Sequence, residues 1–254
     1  MTIKPPVGVH GSLATTAVAI HITDSDREQF IRANGPLSDG SCTINLARDD
    51  AGHWTVETVP TTRLQKTHDL QGPIDDAFMD SFVFVRPTGK SSSKTVDQWT
   101  HSEMKRAIEH WRRHFRGDAR VVDDTDVKDD IIESANLVLW GTPESNLILK
   151  KVHAKLPIDW EASAIRVGRQ QFDADNHALI AVHPNPLNPK RYIVLNSSFT
   201  FRDYAYLNNA RQVPMLPDWA IVDLQTPPGH RWPGKIVAAD FFDEYWQLKA
   251  TDGE

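Results

Sequence analysis

The densest run of residues able to do chemistry is His183-Pro184-Asn185-Pro186-Leu187-Asn188-Pro189, which leads into RYIVLNSS. An imidazole titrates near ~6.5 and suits proton transfer at neutral pH. Three prolines hold the backbone beside it at low entropic cost. His183 is therefore the candidate general acid–base, with Asp75, Asp76 or Asp80 of GPIDDAFMD as its carboxylate. Gly141, Thr142, Ser145 and Asn146 stand where a strand gives way to a helix N-terminus, a place suited to an anion. Gly89, Asn185, Asn188 and Asn196 complete the candidate ligand-binding set, because ligand sites of parallel sheets lie at the carboxyl ends of strands. On that reading Gly89, Gly141, His183 and Asn196 converge on one edge of the sheet. The plainer alternative is a proline-stiffened turn with a histidine that steadies it, and two helix caps.

Other chemistries lack their signatures. A nucleophile elbow needs G-x-S-x-G; HGSLA at 10–14 lacks the second glycine, and NSSF at 196–199 lacks both. PTGKS at 87–91 has Phe84 where a phosphate-binding loop needs its first glycine, and no G-x-G-x-x-G occurs, so no nucleotide cofactor is expected. Asp123, Asp124, Asp126, Asp129 and Asp130 are dense, yet a calcium loop begun at Asp124 meets Lys128 and Asp129 where it needs an oxygen ligand and a glycine. A helix whose first turn welcomes acids explains them as well, with surface calcium as the alternative. His110 and His114 sit among Arg112, Arg113 and Arg116, which would repel a metal cation.

The elements that must position these residues change character near residue 70. Residues 13–23 and 41–63 alternate in polarity and read as strands around the turn DDAG, with DREQFIRA as a turn or two of helix. From residue 81, apolar strands alternate with helical segments. SFVFV (81–85) precedes a helix that opens on a capping box, Thr100 and Glu103. That helix carries Met104, Ala107, Ile108, Trp111 and Phe115 as its apolar stripe. Strands follow at 119–123 and 136–141, then a helix from Pro143 to Pro157. IRVG, HALIAVHP, RYIVLNSS and DWAIVDL are further strands, and YAYLNNARQ is helical. Trp111, Leu139 and Val194 are expected in the core. The expected fold is α/β: an open, mainly parallel sheet with helices on both faces, three-layered and Rossmann- or flavodoxin-like, over residues 72–254, with a small antiparallel β unit and connector at 1–71.

The chain has 254 residues, a formal charge of −6, 40% hydrophobic residues and one cysteine, Cys42. That is globular composition without a disulfide framework or a basic block for nucleic acid. The apolar stretch Leu13–Ile22 is too short for a bilayer and reads as a strand, not a signal peptide. No nucleic-acid or membrane partner is expected, and the chain reads as soluble, with its compartment open.

GPIDDAFMDSFVFVRPTG (72–89), NLVLWGTPESN (136–146), HPNPLNPKRYIVLNSSFTFR (183–202) and LPDWAIVDL (216–224) resemble the C-terminal region of large bacterial proteins of the prolyl-oligopeptidase-like or α/β-hydrolase kind. The likeness covers roughly residues 40–248. In that family the hydrolase elbow, where present, lies outside this region, so the resemblance transfers no catalytic residue. It implies an accessory or ligand-binding domain of an ester- or peptide-hydrolase system, whose partner is a hydrolase domain or a small ester or lactone. The alternative is a stand-alone ester or lactone hydrolase with an unconventional site, with or without metal assistance.

Overall fold

A computed structural model describes residues 2–3, 17–24, 27–34, 42–49, 51–56 and 64–249. HGSLA, residues 13–16 and the end of the 41–63 segment lie outside them. The chain divides into two compact units, residues 1–71 and 72–254.

The first unit is built of antiparallel strand pairs. β1 (Thr2–Ile3) pairs with β4 (Cys42–Thr43), β2 (Ala17–Asp24) with β3 (Arg27–Asn34), and β5 (Leu46–Arg48) with β6 (Trp54–Val56). Ile20, Ala33 and Ile44 form its small core. Asp49 makes the turn between β5 and β6 by accepting from the amides of Ala51 and His53 at 3.0 and 2.8 Å. The DREQFIRA segment is strand β3, not helix: Ile31 pairs with Ile20 and Phe30 with His21. The alternation Gln29, Ile31, Ala33 places those side chains on one side of a strand, which its few i, i+4 apolar pairs do not favour in a helix.

The second unit is a seven-stranded mixed sheet. Its strands are β7 (Phe82–Arg86), β8 (Val121–Asp123), β9 (Asn136–Leu139), β13 (His177–Asn185), β14 (Asn188–Leu195), β15 (Trp219–Asp223) and β16 (Lys235–Asp240), in the order β16-β15-β13-β14-β9-β7-β8. Three short strands, β10 (Asp159–Trp160), β11 (Ala164–Val167) and β12 (Gln170–Asp173), form a separate antiparallel sheet that takes up the IRVG segment. The helices are α1 (Lys94–Phe115), α2 (Asp129–Ser134) and α3 (Leu147–Val152). None of the described helices is long and apolar enough to cross a membrane.

The expected three-layer parallel fold is thus corrected. Only β8, β7, β9 and β14 run parallel, while β13, β15 and β16 join antiparallel. The decisive element is the β13–β14 hairpin, in which Asn185 pairs with Asn188 across Pro186-Leu187. Two residues cannot carry a parallel crossover, which needs a dozen or more. The paired stretches 178–182 and 192–195 of the hairpin are continuous apolar runs because they are buried on both faces. Such runs report burial and are silent on direction. Helices are also scarcer than expected. Residues 203–211 form two short 3-10 turns, and the segment after Pro143 becomes regular helix only at Leu147.

Helix α1 starts earlier than its capping box suggests. Ser93 caps it, accepting from the Val96 amide at 3.2 Å, and Thr100 and Glu103 lie inside it, both buried. Its buried face therefore runs through Val96, Trp99, Thr100, Glu103, Ala107 and His110. That rotation leaves Trp111 on the flank, half-buried against Phe82, Phe115 and Phe199, rather than in the core. Leu139 and Val194 are fully buried.

Candidate functional site

The carboxyl ends of β7, β9 and β14 meet at one edge of the sheet. The order β8-β7-β9 means that β7 has its next two strands on opposite sides, the arrangement that opens a ligand crevice in α/β sheets. Here the chain fills that space itself. The Gly89 amide donates to the Ser145 carbonyl at 2.9 Å, and a Cβ at Gly89 would stand 2.9 Å from the same oxygen. Gly141 has φ of +104°, and a Cβ there would meet Ser145 Oγ at 2.4 Å. Both glycines serve close chain approach. Ser145 Oγ accepts from the Thr142 amide at 2.8 Å. Asn146 caps α3 through the amides of Ile148 and Leu149, and its Nδ2 donates to Trp140 O at 2.9 Å. Asn196, at φ of 51°, accepts from the Gly141 amide and donates to the carbonyls of Gly141 and Leu179. It fastens the end of β14 to its neighbours on both sides.

His183 is not on that edge. Strand β13 runs antiparallel to β14, so His183, Asn185 and the hairpin lie at the opposite end of the sheet. The convergence of four residues expected from a parallel sheet holds for Gly89, Gly141 and Asn196 and fails for His183. The histidine is buried, its Nδ1 donates to the Pro184 carbonyl at 2.8 Å, and its ring stands edge-on to Phe242 and Trp246. Burial pushes its pKa down to about 4, against the Pro184 and Trp246 carbonyls, which favour the charged ring. Asn185 Oδ1 accepts from the Leu187 amide, and Asn188 Nδ2 donates to Ile132 O. These bonds shape the hairpin and its anchor.

The three carboxylates are each bound elsewhere. Asp75 accepts from the Thr200 amide at 3.1 Å and from Thr200 Oγ1 at 2.5 Å. Burial raises it to about 6 against those two hydrogen bonds. Asp76 accepts from the Tyr192 hydroxyl at 2.6 Å. Asp80 accepts from the Ser81 amide at 2.6 Å and pairs with Arg191. None of their bonds reaches His183. In the acidic segment, Asp123 pairs with Arg86 and Asp124 accepts from the Leu147 amide at 2.7 Å. Among the described residues, no three of His, Cys, Asp and Glu gather as a metal site.

A second polar cluster went unread in the sequence. Under α1, Glu103 receives a two-pronged bond from Arg202, at 2.5 and 3.1 Å, and a third from Arg106 Nε at 3.2 Å. Arg106 also reaches His110 Nδ1 at 3.0 Å and Ser198 Oγ at 3.4 Å. A narrow cavity of about 10 Å³ adjoins the cluster, lined among others by Arg106, Arg202, Trp140, Ser197, Ser198 and Thr200. Burial, with Arg106 next, pushes His110 down to about 3. One signal was available: Glu103 falls on the same helical face as Val96, Ala107 and His110, where an unpaired charge is costly. Its partner, 99 positions away, could not be read.

No family model, curated protein or solved structure matches the chain.

Proposed function

We propose that residues 72–254 serve as a non-catalytic accessory domain in an ester- or peptide-hydrolase system. One observation carries the reading: the candidate histidine and carboxylates are each bonded into the fold and none reaches another, with only His183 Nε2 and Asn185 Nδ2 left over, both buried. His183 is held by its own chain and boxed by aromatic rings, Asp75, Asp76 and Asp80 are tied to Thr200, Tyr192 and Arg191, and the crevice at β7 and β9 is filled by Ser145. A general base must come within hydrogen-bond reach of the proton it takes. The hydrolase system named here comes from the resemblance drawn in the sequence analysis.

Turnover of p-nitrophenyl acetate and of a homoserine lactone, with and without EDTA, tests it. Rates equal to buffer background are expected. Turnover that a folded His183→Ala variant abolishes would overturn the reading.

A second reading, a stand-alone hydrolase of esters or lactones, has one observation in its favour. The raised Asp75 carboxyl lies against the Thr200 hydroxyl on the cavity wall, an acid–base group beside a hydroxyl nucleophile. Loss of measured turnover in Thr200→Val would favour it.

A further inference from the structure

In the first unit, one end of the small core is left open. Ile20, Ala33 and Ile44 make that core, and Ile22, Ile31, Leu46 and Val56 pack on it. Strand alternation puts Trp54 on the same side as Val56, and cross-strand register sets Gln29 beside Ile22 and Trp54 beside Arg48. These residues do not fill the end of the unit. A cavity of about 480 Å³ lies there, lined by Ile22, Glu28, Gln29, Trp54 and the turn 51–53. That falls in the range of small-molecule sites, about 300–1,000 Å³.

Trp54 is fixed at the cavity wall. The Gln29 side chain bonds both backbone groups of Trp54, accepting from its amide at 2.8 Å and donating to its carbonyl. It thus stands in for a strand partner. The Arg48 guanidinium lies over the indole, 4.7 Å from the ring centroid. The lining combines the apolar Ile22 and Trp54 with the Glu28 carboxylate and the His53 imidazole, both more than half exposed. Charges of both signs are present, Arg48 against Glu28 and Asp49, and they favour neither an anion nor a cation. A neutral ring with an apolar face and hydroxyls at its edge fits this lining. Its C–H groups would rest on the indole and Ile22, and its hydroxyls would donate to Glu28 and bond with His53.

We propose that this cavity binds one sugar ring of a neutral carbohydrate, with Trp54 as its stacking surface and Glu28 as a hydroxyl acceptor. The proposal concerns the first unit and stands apart from the role of residues 72–254. The Gln29 clamp and the Arg48 contact order Trp54 before a ligand arrives, so stacking costs little further entropy.

Saturation-transfer NMR on the full chain tests this. The probes are the methyl glycosides of glucose, galactose, mannose and N-acetylglucosamine, with adenosine and tyramine as neutral and cationic aromatic controls. Saturable transfer to the ring protons of at least one glycoside is expected, with Kd on the order of 1 mM. Trp54→Ala should abolish it, and Glu28→Gln should weaken the affinity severalfold. Glu28 is exposed, so its variant keeps the test decisive if Trp54→Ala does not fold by circular dichroism. Absence of transfer to every glycoside at about 10 mM would overturn the proposal. So would binding that both variants retain unchanged, or transfer to adenosine or tyramine alone.

Discussion

Two buried histidines share one chain and one direction of pKa displacement, yet their surroundings differ. His183 sits in an aromatic box at the hairpin end, with its Nδ1 on a neighbouring carbonyl. His110 sits among Arg106, Arg202 and His114. Loss of water alone depresses the first; loss of water and like charge depress the second. The difference teaches that a depressed imidazole does not mark a site by itself. What separates the two regions is like charge, which depresses His110 and is absent from the causes that act on His183.

The largest effect that should separate them comes from Glu103→Gln. It leaves two buried guanidinium groups without a carboxylate and should cost about 3–5 kcal/mol in urea unfolding. A cost below about 1 kcal/mol would show that water already reaches the cluster. Nothing of that size is expected from Asp80→Asn, because Asp80 is itself the exposed end of its pair with Arg191.

Acid titration comes next. A histidine whose folded pKa lies below its unfolded value binds protons preferentially when unfolded, so stability falls as the pH drops from about 6.5. For His183, held near 4, that loss is roughly 3 kcal/mol by pH 4. His110 adds to it in the same direction. Asp75 opposes them: its folded carboxyl keeps a proton up to about 6, so it favours the folded state as the pH falls from 6 towards 4. Two histidines against one carboxyl leave a net acid loss. His183→Asn should flatten the stability profile between pH 4 and 6.5, and an unchanged profile would place the titration elsewhere.

Asn196→Ala should cost about 2–3 kcal/mol. It strands the Gly141 amide and carbonyl and puts alanine in a left-handed conformation. A smaller effect is expected of Trp111→Ala. A fully buried ring would cost ~3–5 kcal/mol. This one is half-buried, and about 1–2 kcal/mol is expected in the same melts.

Much of the strand content was legible. Continuous apolar runs announced β7, β9, β13, β14 and β15, and Asp49 announced its turn. Asn146 and Ser145 were legible as residues of a strand-to-helix junction, though not as the material that closes it. The chain by itself determined which segments are buried and where they break, because hydrophobic spacing and turn chemistry act over a few residues. Only the tertiary structure decided which way each strand runs. It thereby put His183 at the opposite end from Gly141, and it paired Glu103 with Arg202 across 99 positions. Strand direction and charge pairing depend on contacts between segments far apart in sequence, and no local pattern encodes who those neighbours are.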